Sequence, residues 1–157
     1  MIEAAYIKTP LGIAKLEGDE DGLSVISVLD DGEITEVIPE VLEDAVYQLQ
    51  EYFRGERTKF SLTLNPTGTE FQKKVWDALL QIPYGKTYSY LELSKVLGDP
   101  KAIRAVAAAN GKNPLWIMVP CHRVIGSDGS LTGYAGGLHR KKWLLEHESP
   151  VTQTSLF

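Results

Sequence analysis

The stretch SYLELSKVLGDPKAIRAVAAANG, residues 89–111, carries two helix-start signals separated by one glycine. Ser89, followed three residues later by a glutamate, has the spacing of a capping box and predicts a short helix that Gly98 closes. Asp99-Pro100 then supplies the N-cap and the first position of a second helix. Two short helices joined by a tight glycine turn are typical of a helix-turn-helix, although any αα-hairpin gives the same pattern.

The composition of the second helix favours the helix-turn-helix. Ile103 and Val106 are expected to face inward, while Lys101 and Arg104 project outward. The small residues that would allow close approach to another backbone are Ala105, Ala108 and Ala109. The predicted outer face therefore combines positive charge with small side chains.

The segment before this helix pair is also helical in pattern. Thr67 with Glu70 matches a capping box, and an apolar stripe predicts a helix that ends near Pro83-Tyr84-Gly85. The stripe consists of Phe71, Val75, Ala78, Leu79 and Ile82. Asn65-Pro66-Thr67-Gly68 is a plausible boundary between two subdomains.

The first 66 residues alternate β-patterned runs with turn residues. The runs AAYIKT, LGIAKLE and GLSVISVL predict an antiparallel meander. A helix follows, with Pro39 at its first position and Gly55 past its end, and KFSLTLN predicts one more strand. The apolar face of this helix comprises Leu42, Ala45, Val46, Leu49 and Phe53.

These patterns predict an α/β fold of the α+β kind. Residues 1–66 are expected to form an antiparallel sheet with a packed helix, and residues 67–148 a mostly helical subdomain with the helix-turn-helix. Residues 149–157 are expected to be a flexible tail.

Composition and charge exclude several classes of protein. The 157 residues are 43% hydrophobic and 24% charged, as in ordinary globular domains. The longest apolar run near the middle, Leu115 to Val119, is too short for a membrane helix, and the N-terminus lacks the pattern of a signal peptide, so a cytoplasmic location is expected. One cysteine forbids an internal disulfide, and the three histidines lack metal-ligand spacing, so a structural metal is not expected.

The two halves of the chain differ in charge. The whole chain carries a net charge of -5, which taken alone argues against a nucleic-acid partner. Residues 1–66, however, hold 14 acidic and 5 basic side chains, whereas residues 67–157 hold 7 acidic and 11 basic ones. Such asymmetry is expected when one half meets a polyanion and the other does not.

The run NPLWIMVPCHRVIG, residues 113–126, contains the only cysteine, Cys121. A lone cysteine is more often an inert, buried small residue. Here, however, histidine and arginine follow it directly, and a reactive thiol needs a nearby base or positive charge because its ordinary pKa lies above neutrality.

The sequence around Cys121 resembles the O6-alkylguanine-DNA alkyltransferase family. The resemblance rests on VPCHRVIG at 119–126, the preceding Asn113-Pro114, YAGGL at 134–138 and WLLEHE at 143–148. It covers about residues 67–148, and the first 66 residues fit the family's variable N-terminal subdomain in outline. The resemblance implies a cofactor-free DNA-repair methyltransferase that is used once per molecule.

The resemblance also implies roles for individual residues. Cys121 would attack the alkyl carbon on O6 of a guanine flipped out of duplex DNA, with His122 as its base through a water molecule. Glu148 would orient the imidazole, and Asn113 would order the edge of the site. The residues implied to bind DNA or flip the base are Tyr90, Lys101, Arg104, Ala105 and Arg123. The implied substrate pocket comprises Tyr134, Ala135, Gly136 and Gly137.

Two departures from the family pattern accompany the match. Some members carry a serine where Ala135 stands, and its absence bears on the range of accepted alkyl groups and on the response to inhibitors. The sequence does not predict whether O4-alkylthymine is a substrate. The N-terminal cysteines and histidines that bind zinc in some relatives are absent. Two alternatives remain at this stage: a non-catalytic lesion-binding helix-turn-helix protein, which Cys121 disfavours, and a Cys-His hydrolase, which would need an oxyanion hole.

The C-terminal SPVTQTSLF lies beyond the matched region. Gln153–Phe157 resembles the pentapeptide by which bacterial repair proteins bind the DNA polymerase sliding clamp. Fraying, or packing of Leu156 and Phe157 on the protein's own surface, are the alternatives. The expected partners are therefore double-stranded DNA containing O6-alkylguanine and a sliding clamp, bound by a monomer with no membrane attachment.

Overall fold

The alternation of apolar and polar residues in the first 30 positions produces a three-stranded antiparallel sheet. In the computed structural model, which describes residues 1–131 and 133–149, the strands are β1 (Glu3–Thr9), β2 (Gly12–Asp19) and β3 (Gly22–Leu29), in the order β1-β2-β3. Ala5 pairs with Leu16, and Leu16 pairs with Ile26, so these buried side chains lie side by side on one face. The predicted meander is confirmed.

A helix follows the sheet, as the sequence predicts. A 3₁₀ turn, Glu40–Leu42, starts directly after Pro39 and continues into α1 (Glu43–Phe53). Gly55, with φ of +76°, lies past the end of the helix, where glycine accepts a left-handed conformation at little cost. The buried side chains of α1 are Ala45, Val46, Gln48, Leu49 and Tyr52.

The strand predicted at KFSLTLN, residues 59–65, does not form. Only one bridge links this segment to the sheet, between Leu64 and Leu23. Gln48 explains the difference, since its side-chain oxygen accepts the backbone N–H of Ser61 at 3.0 Å and its amide nitrogen donates to the carbonyl of Ser61 at 3.3 Å. A side chain on α1 thus takes the backbone groups that a neighbouring strand would have used.

Residue contacts divide the chain into two units. The first comprises Met1–Thr67 and Pro114–Met118, and the second comprises Gly68–Asn113 and the chain from Val119 onward. Within the first unit, the backbone N–H of Ile26 donates to Pro114 at 2.9 Å, and Trp116 donates to Ile26 at 3.0 Å. The sequence patterns do not predict that residues 114–118 pack with the first unit, and the ranges 1–66 and 67–148 stay a prediction.

The second unit begins with α2 (Glu70–Leu79), whose N-cap differs from the prediction. Thr69, not Thr67, caps the helix, and its capping box partner is Gln72. Gly68 has a packing role instead, because a Cβ atom there would lie 2.5 Å from the ring of Trp76. The helix also ends earlier than predicted, and Phe71 is 40% exposed while Trp76 is buried.

The helix-turn-helix lies in the second unit. Helix α3 (Tyr90–Val96) has the predicted capping box, and Gly98 with φ of +86° ends it. Asp99 caps a 3₁₀ turn, Pro100–Ala102, from which α4 (Ile103–Gly111) continues. Val106 is fully buried, but Ile103 is 37% exposed, so the prediction that it faces inward is wrong.

Two short strands and a last helix complete the second unit. Strand β4 (Tyr88–Ser89) pairs in parallel with β5 (Val124–Ile125), which places the start of α3 beside the segment that follows Cys121. Helix α5 (Leu138–Glu148) ends the described part of the chain. The predicted clamp-binding segment Gln153–Phe157 lies outside the described residues. No helix in residues 1–131 or 133–149 has the length and apolar character needed to cross a membrane.

Candidate active site

Cys121 starts a 3₁₀ turn, Cys121–Arg123, that leads directly into β5. Its backbone N–H donates to the carbonyl of Val119 at 2.8 Å, and its side chain is 8% exposed. The turn buries all three of its side chains, so the thiol, the imidazole and the guanidinium are all largely removed from water. Two charged or titratable neighbours are thereby fixed next to the cysteine.

The surroundings of Cys121 act on its thiol in opposite directions. Burial raises the pKa of the thiol, since a thiolate loses hydration in this site. Hydrogen bonds with Asn113 and Tyr134 and the positive charge of Lys141 oppose that rise. Asn113 is itself held in place, because its Nδ2 donates to the carbonyl of Val119 at 2.8 Å. The ordering role of Asn113 stays a prediction.

His122 and Glu148 form a buried pair. Nε2 of His122 lies 2.7 Å from Oε2 of Glu148, and both side chains are almost completely buried. Burial lowers the pKa of His122, and the carboxylate opposes this effect. A neutral imidazole with its proton on Nε2 would donate to the carboxylate and leave Nδ1 as the basic atom. Within the described residues, Nδ1 has no hydrogen-bond partner in the protein.

Glu148, the last residue of α5, accepts a second partner, Arg123. Nε of Arg123 donates to Oε1 at 2.7 Å, and Nη2 donates to Oε2 at 3.1 Å. Burial by itself would raise the pKa of Glu148, but the hydrogen bonds and charges of His122 and Arg123 outweigh it and lower the pKa from 4.5 to about 2. The carboxylate is therefore ionised at neutral pH.

The position of Arg123 differs from the expectation that it contacts DNA phosphate. Its side chain is only 7% exposed, and its Nη1 donates to the carbonyl of Ile82 at 2.7 Å. A guanidinium that is buried and paired in this way cannot also reach a phosphate on the surface. Basic residues that do remain exposed include Lys101, Arg104 and Lys112.

Lys141 is a functional candidate that the sequence analysis missed. It is fully buried, its Nζ lies 6.0 Å from the centroid of the Tyr134 ring, and its charge acts on Cys121. A signal for it exists in the sequence, since Lys141 precedes Leu144 by three residues and Glu148 by seven. This spacing places it on the buried face of α5.

A cleft of about 490 Å³ contains several of the predicted DNA and substrate residues. Tyr90 from α3, Arg104 from α4, and Tyr134 with Ala135 from the loop before α5 contribute to its walls. The small residues of α4 that line the cleft are Ala107 and Gly111, whereas the predicted Ala105 is exposed elsewhere on the helix. Because Tyr134 also interacts with Cys121, the cleft and the thiol share one residue.

The remaining pocket residues anchor the loop. The carbonyl of Gly136 accepts a 2.9 Å hydrogen bond from Nη1 of Arg140. Gly137, with φ of +92°, is the residue before α5, and its carbonyl accepts the backbone N–H groups of Arg140 and Lys141. The loop that carries Tyr134 is therefore fixed to the first turn of α5.

Chemically, the cluster contains groups of the kinds that can act as a nucleophile, a base and an orienting group. The thiol belongs to the residue that precedes the histidine, and the imidazole is paired with a carboxylate. In residues 1–131 and 133–149, no three histidine, cysteine or acidic side chains come together as metal ligands could. The adjacent cleft is lined partly by aromatic side chains, which can stack on a planar base.

Two protein-family descriptions match the chain and together cover most of it. The "6-O-methylguanine DNA methyltransferase, ribonuclease-like domain" matches residues 2–66. The "6-O-methylguanine DNA methyltransferase, DNA binding domain" matches residues 70–150. The second match contains the entire cluster around Cys121.

The chain is also similar to proteins named "Methylated-DNA--protein-cysteine methyltransferase". The one from Methanosarcina acetivorans is 48% identical over 150 residues, covering 92% of this chain and 96% of that protein. The one from Mycobacterium leprae is 47% identical over 161 residues, covering 99% and 98%. Among solved structures, Mycobacterium tuberculosis OGT in complex with DNA has a TM-score of 0.84 and 46% identity, covering 97% of this chain and 98% of that one.

Proposed function

The chain belongs to the 6-O-methylguanine DNA methyltransferase family, and we propose that it repairs DNA by moving the alkyl group of O6-alkylguanine onto its own Cys121. The observation that carries the assignment of the nucleophile is the buried His122–Glu148 pair directly next to the only cysteine of the chain. The reaction is a single-turnover S-methyltransfer, because the alkyl group stays on the protein.

In the chemical step, sulfur forms a bond to the alkyl carbon while the bond between that carbon and O6 breaks. The thiol proton passes to Nδ1 of His122 through a water molecule, and the electron pair of the broken bond stays with the guanine, which takes up a proton. Glu148 stabilises the imidazolium that forms, since its low pKa keeps it ionised. Asn113 and Lys141 offset part of the cost of burying the thiolate.

DNA binding by the helix-turn-helix brings the damaged base to the cleft. A base inside the duplex cannot reach a buried thiol, so it has to leave the stack, which costs a few kcal/mol. Arg104 is exposed at the cleft and can occupy the space that the base vacates, while Tyr90 from α3 crowds the neighbouring phosphate. Lys101 supplies charge to the DNA backbone from the turn before α4.

The test is the mass of the intact protein after incubation with a duplex that contains O6-methylguanine. The mass should increase by one methyl group, and the peptide that contains Cys121 should carry it. Cys121→Ser should bind the same duplex but gain no methyl group. An unchanged wild-type mass with retained binding would indicate a lesion-binding protein, and recovery of the unmodified protein with converted DNA would indicate a hydrolase.

Residue 135 bears on the range of alkylated bases that the protein accepts. With Ala135 where some relatives have serine, O6 of the guanine can meet only backbone N–H groups at that position. Comparing single-turnover rates for O6-methylguanine, bulkier O6-alkylguanines and O4-methylthymine defines this range directly. A protein that acts on chromosomal DNA is placed with that DNA, which supports the cytoplasmic location expected from the sequence.

Beyond DNA, the tail suggests a protein partner. The pattern of Gln153–Phe157 supports docking of a monomer to a bacterial sliding clamp, which would raise its concentration near newly synthesised DNA. Titration of a sliding clamp with the full chain and with a chain truncated after Val151 tests this contact. Binding that the truncation leaves unchanged would reject it, and sedimentation of the same samples tests the monomer.

A further inference from the structure

Arg123 occupies an unusual position for a basic residue next to a reactive cysteine. Its guanidinium is buried and donates to both oxygens of Glu148 and to the carbonyl of Ile82. It also lies 5.7 Å from the centroid of the Tyr84 ring. Three directed hydrogen bonds and one aromatic contact fix the guanidinium, and Oε2 of Glu148 is shared by Arg123 and His122.

Arg123 makes a bidentate interaction with the carboxylate of Glu148. Nε and Nη2 of Arg123 reach Oε1 at 2.7 Å and Oε2 at 3.1 Å, so the plane of the carboxylate cannot rotate without breaking one of them. His122 then meets Oε2 at 2.7 Å. The orientation of the imidazole is thus set through the carboxylate by Arg123.

We propose that Arg123 is a positioning residue that holds Glu148 as a fixed, charge-compensated acceptor, so that His122 keeps its proton on Nε2 and Nδ1 stays basic. The inference rests on the proposed function, because it concerns the base in that reaction. It gives Arg123 a role that neither phosphate binding nor packing provides.

Arg123 also compensates the negative charge of Glu148. An unpaired carboxylate beside His122 would favour the imidazolium, and an imidazole that is already protonated cannot take the thiol proton. Arg123 offsets the charge of Glu148, as does Lys141 from α5. The other titratable groups at this site are the Cys121 thiol and Tyr84, which follows α2 and interacts with Glu148.

The anchor at Ile82 explains why arginine is needed. Ile82 is buried after the end of α2, and its carbonyl accepts Nη1 of Arg123 at 2.7 Å. Lysine carries the same charge but has only one side-chain nitrogen. It therefore cannot donate hydrogen bonds to both oxygens of Glu148 and to the carbonyl of Ile82 at the same time. Charge and geometry can therefore be separated by substitution.

The experiment measures the rate of alkyl transfer from free O6-benzylguanine against pH, together with the NMR titration of the His122 ring. The free base needs no DNA contact, so a phosphate role of Arg123 would not affect it. In Arg123→Met, the pKa of His122 should rise. The acid limb of the pH–rate profile should therefore shift to higher pH by ~1 pH unit or more. Arg123→Lys should keep the wild-type pKa more closely but lose rate at every pH.

Two further samples keep the result interpretable. Arg57→Met is the matched control, since Arg57 pairs with Glu51 at 2.9 Å in the first unit, and it should leave both readouts unchanged. If Arg123→Met does not fold, Arg123→Ala with added guanidinium chloride replaces it, with sodium chloride as the ionic control. If guanidinium chloride restores the rate and sodium chloride does not, the positioning role of Arg123 is supported. If neither salt restores the rate, that role is overturned.

The outcomes also separate this inference from the proposed function. A wild-type protein that takes no alkyl group from the O6-methylguanine duplex refutes the function. A wild-type protein that reacts, combined with an Arg123→Met variant whose His122 titration and rate profile are unchanged, refutes only the positioning role. If Arg123→Met loses DNA affinity but reacts with free O6-benzylguanine at the wild-type rate, Arg123 binds phosphate and does not position Glu148.

Discussion

The indole Nε1 of Trp76 donates a 2.9 Å hydrogen bond to the backbone carbonyl of Ala109. This buried bond joins α2 to the last turn of α4, where helix carbonyls lack partners within the helix. It therefore helps to hold the second helix of the helix-turn-helix, which carries Arg104, against the rest of its unit.

Trp76→Phe should lower the free energy of unfolding by about 1–3 kcal/mol, because it removes this bond and leaves a small cavity. Urea denaturation followed by circular dichroism measures the change. Phe71→Leu is the control, since Phe71 is an exposed aromatic residue on the same helix. It should change stability by no more than about 0.5 kcal/mol, and equal losses in the two variants would contradict the assignment.

His122→Ala should slow alkyl transfer by about 100- to 10,000-fold at neutral pH, since the thiol then loses its base. Burial raises the pKa of Cys121, so the variant should regain rate as the pH rises and the thiol ionises without help. Single-turnover kinetics over a series of pH values measure this. A variant with the wild-type pH profile would show that His122 does not act on the thiol.

Glu148 should couple stability to pH in the acid range. Its pKa falls from 4.5 in the unfolded chain to about 2 in the fold, so its contribution is complete above 4.5 and is lost as the pH decreases toward 2. Comparing His122→Ala with the double variant His122→Ala/Glu148→Gln removes the titration of the imidazole and leaves Arg123 as the partner that lowers the pKa of Glu148, so the effect is smaller than in the wild-type chain. The gap between their unfolding free energies should narrow by at most about 1.4 kcal/mol per pH unit below 4.5. If the difference between the two unfolding free energies does not change with pH, the fold does not lower the pKa of Glu148.

Arg104→Ala should impair repair of duplex DNA far more than reaction with free O6-benzylguanine. Only the duplex requires a base to be held out of the stack, and Arg104 lines the cleft without belonging to the cluster around Cys121. Rates on both substrates give the comparison, with the exposed Arg54→Ala of the first unit as control. Equal losses on both substrates would exclude a role in flipping.

Lys101→Gln should reduce the salt dependence of DNA binding. If Lys101 neutralises one phosphate, the slope of log K against log salt concentration should fall in magnitude by about 0.9. Fluorescence anisotropy with an undamaged duplex measures the slope. Lys8→Gln, an exposed substitution in the first unit, should leave it unchanged, and identical slopes for all three proteins would remove Lys101 from the interface.

Local signals predicted much of the second unit. The capping box at Ser89 and the glycine with positive φ at Gly98 act over a few residues, so the helix-turn-helix could be predicted from residues 89–111 alone. The residue that caps α2 could not be predicted in this way. Thr67 and Thr69 both offer a hydroxyl at suitable spacing; in the fold Thr69 caps the helix, and Gly68 between them packs against Trp76.

The sequence by itself predicted which groups carry the chemistry: one thiol, the imidazole of the next residue and the carboxylate at the end of α5. Only the tertiary structure decided how charges are paired. Arg123 is buried on Glu148 and not exposed to phosphate, and Lys141 is buried near Cys121. A sequence shows that a side chain is charged, but burial and the nearest opposite charge depend on residues distant in the chain. Arg123 and Glu148 are 25 residues apart, so only the fold could make them partners.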